Sequence, residues 1–314
     1  MGVFRILTID GGGIKGVFPA SFLATVEDTI NNKIGNYFDL IVGTSTGGII
    51  ALGLGLGFSA KELLEFYEKL GPLVFSGNPF ICFLRQLGFS KYDQGPLKEA
   101  LTKRFGEHKL GESKNRLVIP SFNLETGEVH VYKTSHHLRL MRDYKEKVTD
   151  VALATAAAPT YFPTQRSISG VPLIDGGIWA NNPVGFAVVE AIGILGWPRE
   201  SLRILSIGCT ATAVDVSSAR LVPRGMIYWS TKIVEVFMSG QSSASIGIAQ
   251  LLAGHENLVR INPVVPKNRF GLDKINEIGS LKGLGDSEAR KAIPALKDKF
   301  FCSQVEEFKP VYRL

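Results

Sequence analysis

Twice in its first sixty residues the chain runs a short apolar stretch, rich in β-branched residues, straight into a knot of glycines and then into apolar residues at helical spacing. The first unit is VFRILTID followed by GGGIKG, after which Phe18, Phe22, Val26 and Ile30 fall on one helix face. The second is YFDLIVG followed by TSTGG and then by IIALGLGLG. Strands buried on both faces read as continuous apolar runs, so two strand-loop-helix units in close succession predict a parallel sheet covered by helices on both sides. A composition of 45% hydrophobic and 20% charged residues excludes disordered and fibrous chains. The 34 glycines among 314 residues lie in clusters without a period, which excludes collagen and points to tight turns, close backbone approach or anion-binding loops.

The remaining pattern continues the α/β theme. Helices are predicted at 59–70, with Ser59 as N-cap and Glu62 completing a capping box, and at 95–105. RLVIPSFNLETGEVHVYKT reads as a hairpin turning at Glu125, Thr126 and Gly127. A small-residue helix in VTDVALATAAAPTYFP should stop at Pro159, and PLID reads as a strand before a turn-rich segment. Further elements are a helix at about 184–195, the strand LRILSIG, a helix at 225–254, the late strand LVRINP and an amphipathic helix from Asp286 to Phe301 despite Pro294. With no linker, repeat or low-complexity run in between, the reading is a single domain over 1–314: an α/β fold, a three-layer α/β/α sandwich with a mostly parallel central sheet. The aromatic stretch within residues 72–92 fits either core or a mobile apolar flap over a lipid-accepting cleft.

Charge and cysteine content narrow the setting. A net charge of +6 suits an anionic partner, but the excess is spread out, with eleven Lys and Arg against seven acids from Arg260 onward and no polybasic run. No nucleic acid polymer is expected as a partner. Cys82, Cys209 and Cys302 have no paired spacing, which argues against a disulfide framework or zinc knuckle and for a reducing, cytoplasmic environment. The N-terminus shows no basic and apolar signal pattern, and Ile6 stands where a myristoylation motif needs Ser or Thr. The uncharged stretch from Leu40 to Ala60 is long enough to span a bilayer, yet its six glycines and the hydroxyls of Thr44, Ser45, Thr46 and Ser59 read better as a turn between a buried strand and a buried helix.

Chemistry concentrates in three places. Gly43-Thr44-Ser45-Thr46-Gly47 fits the G-x-S-x-G pattern between a strand and a helix, where flanking glycines let a sharp turn lift the serine hydroxyl to the sheet edge. The serine needs a base. Asp175, at the end of PLID and before Gly176 and Gly177, could serve directly; alternatively Ser45, Asp175 and His255 occur in the triad order of α/β-hydrolases. The other histidines, His108, His130, His136 and His137, read as surface residues, and no spacing calls for a metal or an organic cofactor. The third place is DGGGIKG. Gly11, Gly13 and Gly16 satisfy a dinucleotide-binding fingerprint, but the acid that fold needs after its second strand is missing, since Asp39 precedes LIVG. The same glycine amides beside Lys15 could instead form an oxyanion hole opposite the serine. A nucleotide-binding regulatory module without acyl chemistry therefore stays open beside a serine hydrolase.

DGGGIKG, GTSTG and DGG, in that order, together resemble the patatin-like phospholipase family, and AAAPTYFP and LSIG resemble further family segments. The resemblance covers most of the chain. It implies a Ser-Asp dyad of Ser45 and Asp175, an oxyanion hole from Gly11, Gly12 and Gly13, and hydrolysis of fatty-acyl esters of membrane glycerophospholipids. Lys15 replaces the arginine more common in the family, which keeps the positive charge but not a bidentate grip on phosphate. Short bacterial members of this type include effectors switched on by cyclic nucleotides in anti-phage signalling, so the resemblance implies a phospholipid surface, met peripherally, and a cyclic-nucleotide activator as partners. Oligomeric state is open, a homo-oligomer included.

Overall fold

In the computed structural model, which describes residues 2–75, 85–86, 88–212, 226–267 and 269–314, a mixed sheet carries the site. The strands are β1 (Phe4–Ile9), β2 (Leu40–Gly43), β3 (Arg116–Asn123), β4 (Glu128–Lys133), β5 (Gln165–Arg166), β6 (Pro172–Asp175), β7 (Leu202–Ile207), β8 (Ala211–Thr212), β9 (Leu258–Ile261) and β10 (Val264–Val265). The main sheet has the order β5-β6-β3-β2-β1-β7-β9, with β4 paired to β3, while β8 and β10 form a separate parallel ribbon. Pairs among β3, β2, β1, β7 and β9 are parallel, and β4, β5 and β6 run antiparallel to their partners.

Side-chain alternation along the strands divides the apolar residues into two cores, because successive residues point to opposite faces. Leu7 and Ile9, Ile41, Leu117 and Ile119, and Leu205 and Ile207 enter one core. Ile6, Leu40 and Val42, Val118, Leu202 and Ile204 enter the other. Helices α1 (Val17–Ile30), α2 (Thr46–Gly55), α3 (Ala60–Val74), α4 (Gly95–Phe105), α5 (Val148–Thr155) and, after three others, Ile278–Phe300 cover the first face. The short α6 (Gly177–Ala180) leads into α7 (Val184–Gly193), which with α8 (Met226–Ala253) covers the second face; Ile278–Phe300 is α9. Two helical layers on one sheet are the expected three-layer sandwich.

Local details follow from local chemistry. Ser59 caps α3: its hydroxyl accepts the Glu62 amide at 3.2 Å, and its own amide donates to Glu62 Oε2 at 2.8 Å. α5 ends at Thr155, four residues earlier than the proline alone implied, and α9 begins at Ile278 rather than near Asp286 and runs through Pro294. Pro120 lies inside the sheet, where proline normally interrupts the ladder. It occupies the gap on β3 between Val118, the last residue paired with β2, and Ser121, the first paired with β6, where its missing N–H breaks no bond on that side.

The parallel strands end level. Ile9 is in register with both Gly43 and Ile207, and Ile207 with Ile261. Ligand sites in open α/β sheets form outside these C-terminal strand ends. No helix among the described residues is long and apolar enough to cross a membrane.

Candidate active site

The turn between β2 and α2 forces Ser45 into an unusual backbone. Its φ of 56° and ψ of −121° are in a region that non-glycine residues rarely occupy, at a cost of about 1–3 kcal/mol. Several contacts hold it there. The Ser45 amide donates to Thr155 Oγ1 at 3.0 Å, and Thr155 Oγ1 in turn donates to the Pro120 carbonyl at 2.6 Å. Thr44 Oγ1 donates to the Ala180 carbonyl at 2.6 Å, tying the turn to the segment that follows Asp175. The two motif glycines are required by space: a Cβ on Gly43 would stand 2.1 Å from the Gly47 carbonyl oxygen, and one on Gly47 would stand 2.2 Å from that of Ile9.

Asp175 reaches the same edge by an unexpected route. β3 continues past the level where β2 ends, and β6 returns antiparallel beside that extension, placing Asp175 opposite Ser121. The Asp175 amide donates to the Ala157 carbonyl at 3.0 Å, so the AAAPTYFP segment helps to seat it. Its Oδ1 accepts the Gly177 amide at 2.6 Å, and Gly176 packs against the Pro120 carbonyl with no room for a side chain. The carboxyl is 5% exposed. Burial pushes its pKa up from 3.8 to about 6, while hydrogen bonding to the Ser45 side chain and to the Gly177 amide acts in the opposite direction. No positive group among the described residues contributes. The structure thus brings Ser45 and Asp175 to one sheet edge, with the serine side chain close enough to the buried carboxyl to act on its pKa.

The glycine loop lies across from them. A Cβ on Gly11 would meet the Ser45 Cβ at 3.2 Å and Asn181 Oδ1 at 2.3 Å. The Gly11 amide already donates to the Asn181 carbonyl at 3.0 Å, which corrects the expectation that all three glycines offer free amides. The amides of Gly12 and Gly13 open the 3-10 turn Gly13–Gly16, where internal hydrogen bonding leaves leading N–H groups unused, and neither has an acceptor among the described residues. Gly13 has φ 59°, and the next amide, of Ile14, donates to the Leu272 carbonyl at 2.8 Å. Gly16 abuts Thr46, whose hydroxyl bonds Tyr67 at 2.6 Å. Lys15, half-buried in this turn, is close enough to act electrostatically on Asp10 and Cys209.

His255 does not join the site. It is exposed, in a 3-10 turn that precedes β9, and Leu258 already lies three residues, about 10 Å, below the C-terminal edge marked by Ile261. His136, expected at the surface, is buried: its Nε2 contacts Glu190 Oε1 at 2.9 Å, and Glu190 Oε2 also binds Lys133 at 2.6 Å. A half-apolar hairpin strand followed by α7 makes that pocket, and burial holds the imidazole below its ordinary pKa. Residues 76–84 and 87 of the aromatic stretch, and with them the flap reading, lie outside the described residues. Beside it Phe75 packs on Tyr92 and Phe162, at centroid distances of 5.3 and 6.1 Å. Among the described residues no group of His, Cys, Asp and Glu is arranged to hold a metal ion.

Sequence reasoning passed over Thr155, Asn181, Asp10 and Arg260. Thr155 and Asn181 adjoin segments already singled out, AAAP and DGG, but their partners become visible only when the chain is folded. Asp10 opens the glycine motif, and its carboxylate is held by Arg260 Nη1 at 2.8 Å and Nη2 at 2.5 Å, a contact 250 residues away in sequence.

Comparison with known proteins returns one family description, Patatin-like phospholipase, matched over residues 7–188. A protein of Pseudomonas aeruginosa named cGAMP-activated phospholipase is 35% identical over 306 residues, covering 95% of this chain and 90% of its own. A Vibrio cholerae protein of the same name is 36% identical over 238 residues, covering 69% of this chain and 67% of its own. Among solved structures, VipD from Legionella pneumophila aligns with a TM-score of 0.49 and 13% identity, over 93% of this chain and 67% of that one.

Proposed function

Since the chain belongs to the patatin-like phospholipase family and is a lipid ester hydrolase, we propose that it cleaves fatty-acyl esters of glycerophospholipids by a Ser45-Asp175 dyad through an acyl-enzyme. The observation that carries this reading is the strained Ser45 beside a buried carboxyl that its side chain influences and that no cation among the described residues neutralises. Asp175 takes the Ser45 proton as Oγ adds to the ester carbonyl carbon and the carbonyl π pair moves onto oxygen. A base that titrates at about 6 is ionised at neutral pH yet far more basic than an exposed aspartate. The Gly12 and Gly13 amides and the N-terminus of α2 stabilise the oxyanion, each donor contributing about a hundredfold in turnover or more. Collapse breaks the ester C–O bond, and the leaving lysolipid oxygen takes the proton from Asp175. Water, deprotonated by the same carboxylate, then adds to the acyl carbon; collapse breaks the acyl C–Oγ bond, Ser45 Oγ takes the proton back from Asp175, and the fatty acid leaves.

Lys15 and the α2 N-terminus put positive potential at the mouth of the site, which suits a phosphate headgroup at a membrane surface met from the cytoplasm. The two relatives are named for activation by cGAMP, and we extend that regulation to this chain. The test is fatty-acid release from phosphatidylglycerol and phosphatidylethanolamine vesicles with and without cGAMP and a panel of other cyclic nucleotides. Wild type is expected to release fatty acid and lysolipid, with cGAMP raising the rate, and Ser45→Ala to release none. Release by Ser45→Ala at the wild-type rate refutes the dyad; release that no cyclic nucleotide alters refutes the regulation alone.

A further inference from the structure

The glycine loop is fixed on both sides of its two unpaired amides, and several of the fixing points, Ile207, Cys209, Arg260 and Leu272, lie outside the matched family region of residues 7–188. Downstream, the Ile14 amide is tied to the Leu272 carbonyl; upstream, the Gly11 amide is tied to the Asn181 carbonyl. The upstream anchor with the most contacts is Asp10. Its amide donates to the Ile207 carbonyl at 2.9 Å, and its carbonyl accepts the Cys209 thiol at 3.4 Å. Its carboxylate, on a residue 5% exposed, is gripped bidentately by Arg260.

The reach across the sheet follows from the register. Thr8 pairs with Ser206, and Ser206 pairs with Arg260, so Thr8, Ser206 and Arg260 stand in one row on the face that β1 and β7 turn toward α7 and α8. Asp10 is two residues beyond Thr8 and by strand periodicity shares that face. Arg260 therefore extends from β9 over β7 to the end of β1, and its Nη1 donates to Ser206 Oγ at 2.8 Å on the way. A planar five-donor fork suits this two-point grip, and a lysine could not reproduce it.

We infer that Arg260 is a positioning residue for the hydrolysis, acting through Asp10 to hold the Gly12 and Gly13 amides where the oxyanion of the Ser45 reaction forms. A role in stability alone explains the arrangement poorly. Buried ion pairs rarely stabilise a fold more than apolar residues of the same volume, and Arg260 Nε is also buried without a partner among the described residues. Two ionic groups desolvated next to an oxyanion loop are instead what precise placement of amides requires, since donors displaced by about 1 Å lose most of their effect. This inference rests on the dyad reading, and its test separates the two.

The full chain and its Arg260→Met, Arg260→Lys and Ser45→Ala variants are assayed on a chromogenic acyl ester with cGAMP present. Active sites are first counted by fluorophosphonate labelling, so that kcat refers to folded enzyme. Arg260→Met, which leaves the buried Asp10 without its cation, is expected to melt below wild type yet to keep KM within twofold while kcat per labelled active site falls tenfold to a hundredfold, and Arg260→Lys, retaining charge without the fork, to recover less than half of the lost rate. Wild-type kcat in folded Arg260→Met overturns the inference. If Arg260→Met does not fold, Arg260→Lys decides by the same criterion: reduced kcat at unchanged KM supports positioning, and wild-type kcat overturns it. Activity in Ser45→Ala refutes the dyad itself, whatever the Arg260 variants do.

Discussion

Asp175→Asn replaces a buried carboxylate by a neutral group of the same shape, whose oxygen can accept the Gly177 amide and whose NH2 can donate to Ser45 Oγ. The structure sets the size of the effect. Burial raises the Asp175 pKa from 3.8 to about 6. At about 1.4 kcal/mol per tenfold change, keeping the ionised form in the folded chain costs about 3 kcal/mol relative to the unfolded chain. The sign follows from proton binding: between pH 3.8 and about 6 the folded state holds the proton more tightly than the unfolded one, so wild-type stability falls as pH rises through that window. Asparagine is uncharged throughout and escapes the loss. At pH 8 the variant should therefore be more stable than wild type by about 3 kcal/mol, moving the urea midpoint up by about 1 M. At pH 4 the two should nearly coincide. Its esterase activity should be lower by three orders of magnitude or more, because no proton acceptor remains. Urea unfolding followed by tryptophan fluorescence at pH 4, 6 and 8 measures the series. A variant no more stable than wild type at pH 8, or a gain independent of pH, would refute the claim that desolvation without a counter-charge sets the base.

Three further outcomes follow from the same geometry. In wild type, kcat/KM for a neutral ester should fall about tenfold per pH unit below about 6, as Asp175 takes up its proton, and level off above; a profile flat to pH 5 would be incompatible with this base. His255→Ala should stay within twofold of wild type in kcat/KM, because the histidine sits below the opposite end of β9; a loss of several orders of magnitude would restore the triad. Thr155→Val keeps volume but removes the acceptor of the Ser45 amide, so it should cost about 1–3 kcal/mol in unfolding free energy and at least tenfold in kcat, measured by chemical denaturation and ester hydrolysis on the same preparation.

What the sequence disclosed was local, and what it concealed was pairwise. Strand, glycine loop and helix are contiguous, so the sequence alone places VFRILTID with GGGIKG and LIVG with TSTGG on the sheet edge. PLID reads as a strand ending at Asp175, but hydrophobic pattern alone carries no strand direction, so the sequence does not disclose that β6 descends antiparallel along an extension of β3. The Gly11 amide reads as a free donor in sequence because nothing local to GGGIKG reveals the Asn181 carbonyl opposite it. His136 hides for the same reason: its polar neighbours Ser135 and His137 suggest solvent, and the Glu190 that buries with it lies 54 residues onward. Arg260 stood out in the sequence merely as one of many basic residues near the C-terminus.

Two aspartates at one sheet edge show how the same side chain is put to different uses. Both Asp10 and Asp175 are about 5% exposed, and for both desolvation is the largest influence, raising the pKa. Asp10 is met by Arg260 in two hydrogen bonds and by the field of Lys15, so its charge is held in place and its geometry locked. Asp175 receives the Gly177 amide and lies within the influence of the Ser45 side chain but meets no cation among the described residues, so its charge stays weakly compensated and ready to accept a proton. Exchanging these surroundings would abolish both roles: an arginine beside Asp175 would pull its pKa down and make it a poor base, and an Asp10 without Arg260 would lose its hold on the loop. Placing a cation against one carboxylate and withholding it from the other therefore divides the edge into a rigid oxyanion loop and a reactive base, although the residue type and the burial are the same.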